Sequence, residues 1–176
     1  GNAVGAEVTG EQVGTAAGAR AMVPEAIAGC GVDFHTSDTI MRLPELPGHL
    51  VIVGGGFVAA EFAHVFSALG SRITVVLRGG TMLSHCDDTI CERFTDIAGK
   101  KWEIRSHRNM IGAHTETHAD GSEVVVELDD SSTVRADTVL VATGRRHCAS
   151  RRSSRTAAGG AAGTRRAAST GHSPTA

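Results

Sequence analysis

Residues 49–70 read HLVIVGGGFVAAEFAHVFSALG, and this stretch decides the fold class. HLVIV is a continuous apolar run that stops at glycine, which is typical of a parallel strand buried on both faces. The segment after it has apolar residues at helical spacing and a terminal glycine, namely Phe57, Ala60, Val65, Ala68, Leu69 and the stop Gly70. The stretch therefore predicts a strand, a glycine turn and a helix.

The following sequence extends this pattern. RITVVLR predicts a second strand, and DDTICERFTDIAGK predicts a helix that is capped by Asp87 or Asp88. After WEIRS, alternating segments broken at ADG and DDSS indicate antiparallel strands with hairpin turns, and ADTVLVATG predicts a last buried strand. The predicted fold class is α/β, a Rossmann-like dinucleotide-binding domain with an antiparallel β-meander crossover.

The glycine turn carries the first functional signal, because Gly54, Gly56 and Ala59 form a G-x-G-x-x-A pattern. The first glycine permits a tight turn, the second lets the backbone approach a pyrophosphate, and the small third residue lets helix and strand pack closely. The pyrophosphate would lie at the helix N-terminus, where free N–H groups favour negative charge. A purely structural turn is the alternative, but the surrounding strand–helix–strand order favours a nucleotide site.

The end of the second strand indicates which nucleotide binds. An NAD site places an acid there to accept the ribose hydroxyls, whereas this chain has Arg78 and no acid before Asp87. A guanidinium at this position can pair with the 2′-phosphate of NADPH. A solvated surface arginine is the alternative. The sequence therefore predicts NADPH as the nucleotide.

Together these motifs resemble the pyridine nucleotide–disulfide oxidoreductases. TAAGARAMVP looks like the segment that leaves the flavin domain of that family, and VATGR looks like the matching return segment. GFVAAEFAHVFSALG, HCDDTICERF and KWEIRSHRN look like one branch of the family. The resemblance implies a cytoplasmic, homodimeric enzyme that uses NADPH and FAD to reduce a small thiol disulfide.

The resemblance also implies roles for single residues. Phe57 would screen the flavin ring until the nicotinamide displaces it, Glu61 would lie near the nicotinamide, and Gly144 would line the nucleotide pocket. The chain is assigned neither a catalytic residue nor a metal ligand. The residues expected to bind the cofactor are Gly54, Gly55, Gly56, Phe57, Val58, Ala59, Glu61, Arg78 and Gly144.

The chain departs from the family in several respects. The flavin-binding glycine fingerprint, the redox cysteines in their Gly-Gly-Thr-Cys context and the C-terminal interface domain are not found in the sequence. Ser84 stands where NADPH-using relatives often carry a second arginine. We therefore expect a fragment, with residues 1–24 as a remnant of the flavin domain, 25–148 as the NAD(P)-binding domain and 149–176 as a tail.

The tail is expected to be disordered, because it contains five arginines, no acid and no apolar residue larger than alanine. It could be a nucleic-acid-binding arm, an uninvolved tail or the product of a shifted reading frame. The lack of aromatic residues among its arginines favours an uninvolved tail. For the same reason no nucleic acid is expected as a partner. No apolar run reaches 18 residues, so no membrane is expected as a partner either. The sparse cysteines favour a reducing cytoplasm.

Two further clusters could carry chemistry. Cys86 and Cys91 have the four-residue spacing of a redox pair, but Asp87 and the next residue would disfavour a thiolate, so we expect structural thiols. His114, Glu116 and His118 share one strand face and could form a metal trio, although a solvated face without a fourth ligand is the favoured interpretation.

The leading hypothesis for function is the NADPH-binding portion of an FAD-dependent disulfide reductase. The alternatives are a nucleotide-binding module without catalysis and a different single-domain reductase of the same fold. The chain contains no tyrosine, which disfavours the Tyr–Lys proton donor that such a reductase would need.

Overall fold

The protein is described by a computed structural model over residues 18–118 and 121–147. Almost all of these residues form one compact unit, Ala19–Arg146. The second unit, Gly1–Gly18 with His147–Ala176, contributes only its two inner ends to the described residues. The predicted disordered tail, 149–176, and residues 1–17 of the predicted flavin-domain remnant lie outside the described residues.

Within the described residues the chain forms nine strands and four helical segments. The strands are β1 (Ala19–Ala21), β2 (His49–Val53), β3 (Arg72–Leu77), β4 (Glu103–Ser106), β5 (Met110–His118), β6 (Gly121–Leu128), β7 (Thr133–Ala136), β8 (Thr138–Val141) and β9 (Arg145–His147). The helices are α1 (Glu25–Ala28), α2 (Phe57–Leu69), α3 (Asp88–Ala98) and a 3₁₀ helix at Ile40–Arg42. None of the described helices is both long enough and apolar enough to cross a membrane.

A four-stranded parallel sheet with the order β4-β3-β2-β8 forms the centre of the unit. β2 pairs with β3 from His49↔Arg72 to Val53↔Val76, and with β8 on its other edge. Each inner strand is a run of apolar residues, because both of its faces are covered by other layers. The predicted α/β class is confirmed.

The two faces of the parallel sheet are covered differently. Leu50 and Ile52 of β2 point into a core that they share with residues of α2 and α3. Val51 and Val53 point the other way, into a core that they share with β5, β6 and β7. This alternation follows from the two-residue period of a strand and produces three layers: helices, parallel sheet and antiparallel strands.

The antiparallel strands form a separate sheet with the order β5-β6-β7. The DDSS segment makes the turn from β6 to β7, in which Ser131 has a φ of +66° and the amide of Ser132 donates to Asp130 Oδ1 at 3.0 Å. This side-chain-to-backbone hydrogen bond is what suits Asp and Ser to such turns. The other expected turn, ADG, includes residues 119 and 120, which lie outside the described residues.

The helix predicted after the glycine turn is present as α2. The residues that face the core are Ala59, Ala60, Ala63 and Phe66. Of the apolar residues whose spacing indicated the helix, only Ala60 is buried, whereas Phe57, Val65, Ala68 and Leu69 are exposed. The three alanines let α2 lie close to the sheet. The helix stops at Gly70, as expected, in the left-handed conformation with a φ of 109°.

The start of α3 agrees with the sequence. Asp87 is the N-cap, and its carboxylate accepts a hydrogen bond from the amide of Thr89 at 2.9 Å. This bond satisfies one of the amides that a helix leaves free in its first turn. The segment from Leu83 to Asp87 therefore enters the helix in a fixed conformation, and Ser84 and His85 within it reach a cleft at the ends of the parallel strands.

Candidate nucleotide-binding site

A cleft of about 490 Å³ lies at the carboxyl ends of β2, β3 and β8. Its size falls within the range of small-molecule sites. In open α/β sheets, ligands bind in the crevice beyond the carboxyl ends of the strands. The residues that follow each of these strands, including Gly54, Arg78 and Ala142, form its walls.

Gly54 forms the floor of the cleft. Its φ is +129°, and a Cβ on this residue would overlap the carbonyl group of Ala142, which follows β8. The amide of Gly54 donates to the carbonyl of Val76 at 2.8 Å, so β2 stays bound to β3 at this point. Only glycine fits here, because both the backbone conformation and the space exclude a side chain.

Gly55 and Gly56 continue the turn. The carbonyl of Gly55 accepts the amide of Leu83 at 2.6 Å, which ties the turn to the loop that precedes α3. Gly56 is the N-cap of α2 and makes no side-chain capping bond, and a Cβ there would meet no atom within 4 Å. Gly56 therefore leaves open space above the free amides of the first turn of α2. This is the geometry that an anion at a helix N-terminus requires.

Ala59 and Val58 take different positions on the first turn of α2. Ala59 is fully buried and holds the helix against the sheet, as the third position of the glycine pattern predicts. Val58 is half-buried and does not line the cleft.

Phe57 and Glu61 lie outside the walls of the cleft. Phe57 is 55% exposed at the first position of α2, and Glu61 is exposed one turn later on the same face. The structure therefore brings neither residue together with the glycine turn and Arg78. Their expected roles beside the nicotinamide and flavin stay predictions.

Arg78 and Gly144 both line the cleft, as expected. Arg78 follows the last residue of β3, is exposed, and forms no ion pair with any described residue. Gly144 has a φ of +143°, and its carbonyl accepts the amide of Met22 at 2.9 Å. The Thr143 hydroxyl also donates to the carbonyl of Met22 at 2.8 Å. Two hydrogen bonds therefore join Thr143 and Gly144 to Met22 at this wall of the cleft.

The sequence interpretation missed Arg108, which also lines the cleft. Its amide donates to the carbonyl of Leu77 at 3.1 Å, which brings the residue next to the end of β3. Its Nε lies 2.5 Å from Asp130 Oδ2, and its Nη1 donates to the carbonyl of His107 at 2.7 Å. The only signal in the sequence was an arginine two residues after a predicted strand. That signal does not show that the arginine lies next to the end of β3.

The charge of the cleft is one-sided. Among the described residues its walls include Arg78, Arg108 and His85, but no aspartate or glutamate. Polar backbone groups of the glycine turn supply further positive partial charge. A cleft of this composition favours a ligand with several phosphate groups.

Cys86 and Cys91 lie beside this cleft but do not line it. Cys91 is only 3% exposed, and its thiol donates to the carbonyl of Leu83 at 3.0 Å. Cys86 is also a free thiol. It is half-buried and packs against the core that the parallel sheet shares with α2 and α3. Cys86 precedes α3 and Cys91 lies in its first turn, so the two residues help to fix the loop that carries Ser84 and His85.

The histidines of β5 form an exposed ion-pair network. His114 lies 3.0 Å from Glu127 and 3.3 Å from Glu116, and Glu116 also accepts from Arg135 Nη1 at 2.6 Å. The hydrogen bonds from Arg135 and then from His114 lower the pKa of Glu116. No cluster of metal-ligating residues occurs in the described part of the chain. Glu116, the carboxylate of the possible metal trio, thus forms an ion pair with Arg135.

The chain belongs to the pyridine nucleotide-disulphide oxidoreductase family. The sequence model of that family matches residues 2–166. The relatives narrow this class: over 141 residues the chain is 61% identical to mycothione reductase of Mycobacterium tuberculosis. The family resemblance and the branch that its motifs indicated are confirmed.

Other relatives extend the comparison. Glutathione reductase of Burkholderia cepacia is 32% identical over 142 residues. The solved HOCl-induced flavoprotein disulfide reductase RclA of Escherichia coli is 28% identical, with a TM-score of 0.64, over 74% of this chain and 29% of that one. The matches to mycothione reductase and glutathione reductase each cover 80% of this chain. The chain spans about 30% of the length of these two relatives.

Proposed function

We propose that this chain binds NADPH in the cleft and serves as the nucleotide-binding portion of a disulfide reductase similar to mycothione reductase. The observation that carries the proposal is the glycine turn. Gly54 can only be glycine, and Gly56 leaves an open path to free helix amides. The Rossmann-like dinucleotide-binding character of the domain is part of the same proposal.

The residues of the cleft fit the two charged parts of the nucleotide. The amides at the start of α2 would bind the pyrophosphate, where the helix dipole adds to their hydrogen bonds. Arg78, at the end of β3, would bind the 2′-phosphate, since no acid among the described residues lines the cleft to repel it. Ala59 would keep the helix close enough to the sheet for its N-terminus to face the ligand.

The nicotinamide half would extend toward the wall that Thr143 and Gly144 form with Met22. By resemblance, Glu61 and Phe57 would face the nicotinamide and the flavin once both cofactors are bound. The 55% exposure of Phe57 is compatible with this role, because its ring is accessible to a cofactor. NADPH would supply a hydride, and FAD in the complete enzyme would pass the electrons through a cysteine pair to the disulfide of mycothiol.

Cys86 and Cys91 are not that cysteine pair in our proposal. The buried thiol of Cys91 already donates to a backbone carbonyl, and Asp87 lies between the two residues in sequence. A reactive thiolate needs exposed, electropositive surroundings, whereas Cys91 is buried and an acid lies between the two cysteines.

A nucleotide-binding module without catalysis is the second candidate. The observation that favours it is the state of Cys91, which is buried and donates its thiol to a backbone carbonyl, so Cys86 and Cys91 do not form an exposed reactive pair. The two candidates share the cleft and differ only in whether electrons leave the nucleotide.

Replacing Gly56 with aspartate tests the nucleotide site. Aspartate is a good N-cap, so Gly56→Asp should keep the fold or raise the free energy of unfolding by a few tenths of a kcal/mol. Its carboxylate would stand where the pyrophosphate binds, so NADPH affinity should fall at least about tenfold. Ala68→Asp adds the same charge to the exposed far end of α2 and is the control. Unchanged NADPH affinity in a folded Gly56→Asp variant would refute the proposed site.

A further inference from the structure

Two arginines emerge side by side at the carboxyl end of β3. Arg78 follows Leu77 directly, and the amide of Arg108 donates to the Leu77 carbonyl at 3.1 Å. Both residues line the same cleft. The cleft therefore has two arginines at the end of β3, one that follows the strand itself and one from the segment after β4.

The Arg108 side chain is held in a fixed direction. Asp130 accepts from its Nε and the His107 carbonyl accepts from its Nη1, while its Nη2 has no partner among the described residues. The turn that carries Asp130 is itself bound to the neighbouring residue, since Asn109 Nδ2 donates to Asp129 Oδ2 at 2.9 Å. Two of the three guanidinium nitrogens are thus anchored, and Nη2 is left to bind a ligand.

We propose that Arg108 is a specificity-determining residue that, together with Arg78, selects the 2′-phosphorylated nucleotide over NADH. This inference rests on the proposed function of the cleft. Two guanidinium groups can share one phosphate, because its three oxygens accept hydrogen bonds in several directions. Asp130 acts as a positioning residue that orients Arg108 and neutralises part of its charge.

The ion pair between Arg108 and Asp130 orients the arginine but is not needed for folding. Both side chains are about a third or more exposed, and exposed ion pairs contribute little to stability. Removing the arginine should therefore leave the fold intact and change the binding of a ligand that touches it.

Calorimetric titration of the full chain with NADPH and with NADH tests the inference. We expect Arg108→Gln to weaken NADPH binding about tenfold, which is close to the low end for a charge-assisted hydrogen bond, and to leave NADH binding unchanged. Arg108→Lys keeps the charge without the fork and should lose about two- to fivefold. Arg72→Gln is the matched control. Arg72 is an exposed arginine at the first position of β3, about 20 Å along the strand from Arg78 and the cleft.

The outcomes separate this inference from the proposed function. An unchanged ratio of NADPH to NADH affinity in Arg108→Gln would overturn the inference while the cleft stayed a nucleotide site. An equal loss for both nucleotides would also overturn it, since it would assign Arg108 to the shared pyrophosphate. If Arg108→Gln fails to fold, the same ratio in Arg108→Lys decides. A wild-type chain that binds neither nucleotide would overturn the proposed function and this inference with it.

Discussion

Gly54 and Ala142 meet so closely that a Cβ on residue 54 would lie 2.7 Å from the Ala142 carbonyl carbon. They follow neighbouring parallel strands, and the amide of Ala142 donates to the Val53 carbonyl at 2.8 Å. The tight turn below the cleft is therefore fixed by the contact between two strand ends as well as by the glycine conformation.

Gly54→Ala should lower the free energy of unfolding by about 2–4 kcal/mol, because alanine adds both backbone strain and overlap with Ala142. Gly56→Ala is the matched control: its φ is −84° and its Cβ would meet open space, so the loss should not exceed about 1 kcal/mol. Urea unfolding of both variants measures the difference. Equal stability of Gly54→Ala and the wild type would contradict this structure of the turn.

Cys86 and Cys91 should behave as structural thiols. A thiol reagent should label half-buried Cys86 faster than buried Cys91 in the folded chain. Cys91→Ser should cost about 1–2 kcal/mol of stability, Cys86→Ser less, and neither should change NADPH affinity. Peptide mapping after timed labelling gives the reactivities. NADPH consumption with an added disulfide and FAD that disappears in Cys86→Ser would show a redox pair instead.

Asp130 should titrate with a pKa of about 2, held down first by the Ser132 hydroxyl and amide and then by Arg108. Ser132→Ala, which removes the first of these causes, should therefore raise the pKa of Asp130. The carboxylate stabilises the fold fully above its unfolded pKa, ordinarily 3.8, and this contribution is lost as the pH falls toward 2. NMR titration of the carboxyl carbon measures the pKa. An unchanged pKa in Ser132→Ala would mean that the serine hydroxyl is not a cause of the low value.

His49 links three parallel strands. Its Nε2 lies 2.9 Å from the Thr74 hydroxyl, which donates to Glu103 Oε2 at 3.1 Å. Burial and then the nearby charge of Arg72 lower the pKa of His49 below its ordinary 6.5. Stability should therefore fall as the pH drops below 6.5, because the unfolded chain takes up a proton that the folded chain resists.

His49→Gln isolates this effect from the other histidines. The decrease in unfolding free energy between pH 7.5 and pH 5.5, measured by urea unfolding, should be smaller in the variant than in the wild type. The two proteins differ only at His49, so the other titrating groups cancel in the comparison. An identical decrease in both would mean that burial leaves the affinity of His49 for a proton unchanged.

The sequence allowed the main elements and the centre of the site to be predicted. The apolar runs of β2, β3 and β8 and the caps of α2 and α3 are local signals, and Gly54, Gly56 and Arg78 follow directly from them. The buried face of α2 could not be predicted from the spacing of its apolar residues, because that spacing does not reveal that the sheet contacts mainly alanines.

Residues that reach the cleft from distant segments could not be predicted from local patterns. Arg108 arrives through a backbone hydrogen bond to Leu77, and Thr143 through contact with Met22. The segment around His35 likewise adds to the edge of the sheet by donating to Val139 and accepting from Val141. Such pairings join segments that are distant in the chain, so no local stretch of sequence predicts them.

We propose that the chain binds a 2′-phosphorylated nicotinamide nucleotide at Arg78 and the glycine turn. Calorimetric titration of the purified chain with NADPH and NADH, in the wild type and in Arg78→Ala, tests it most directly. We predict one NADPH site, weaker binding of NADH, and a loss of about 1.5–3 kcal/mol of NADPH affinity in Arg78→Ala with little change for NADH. Equal dissociation constants for the two nucleotides, or unchanged NADPH affinity in Arg78→Ala, would contradict this claim.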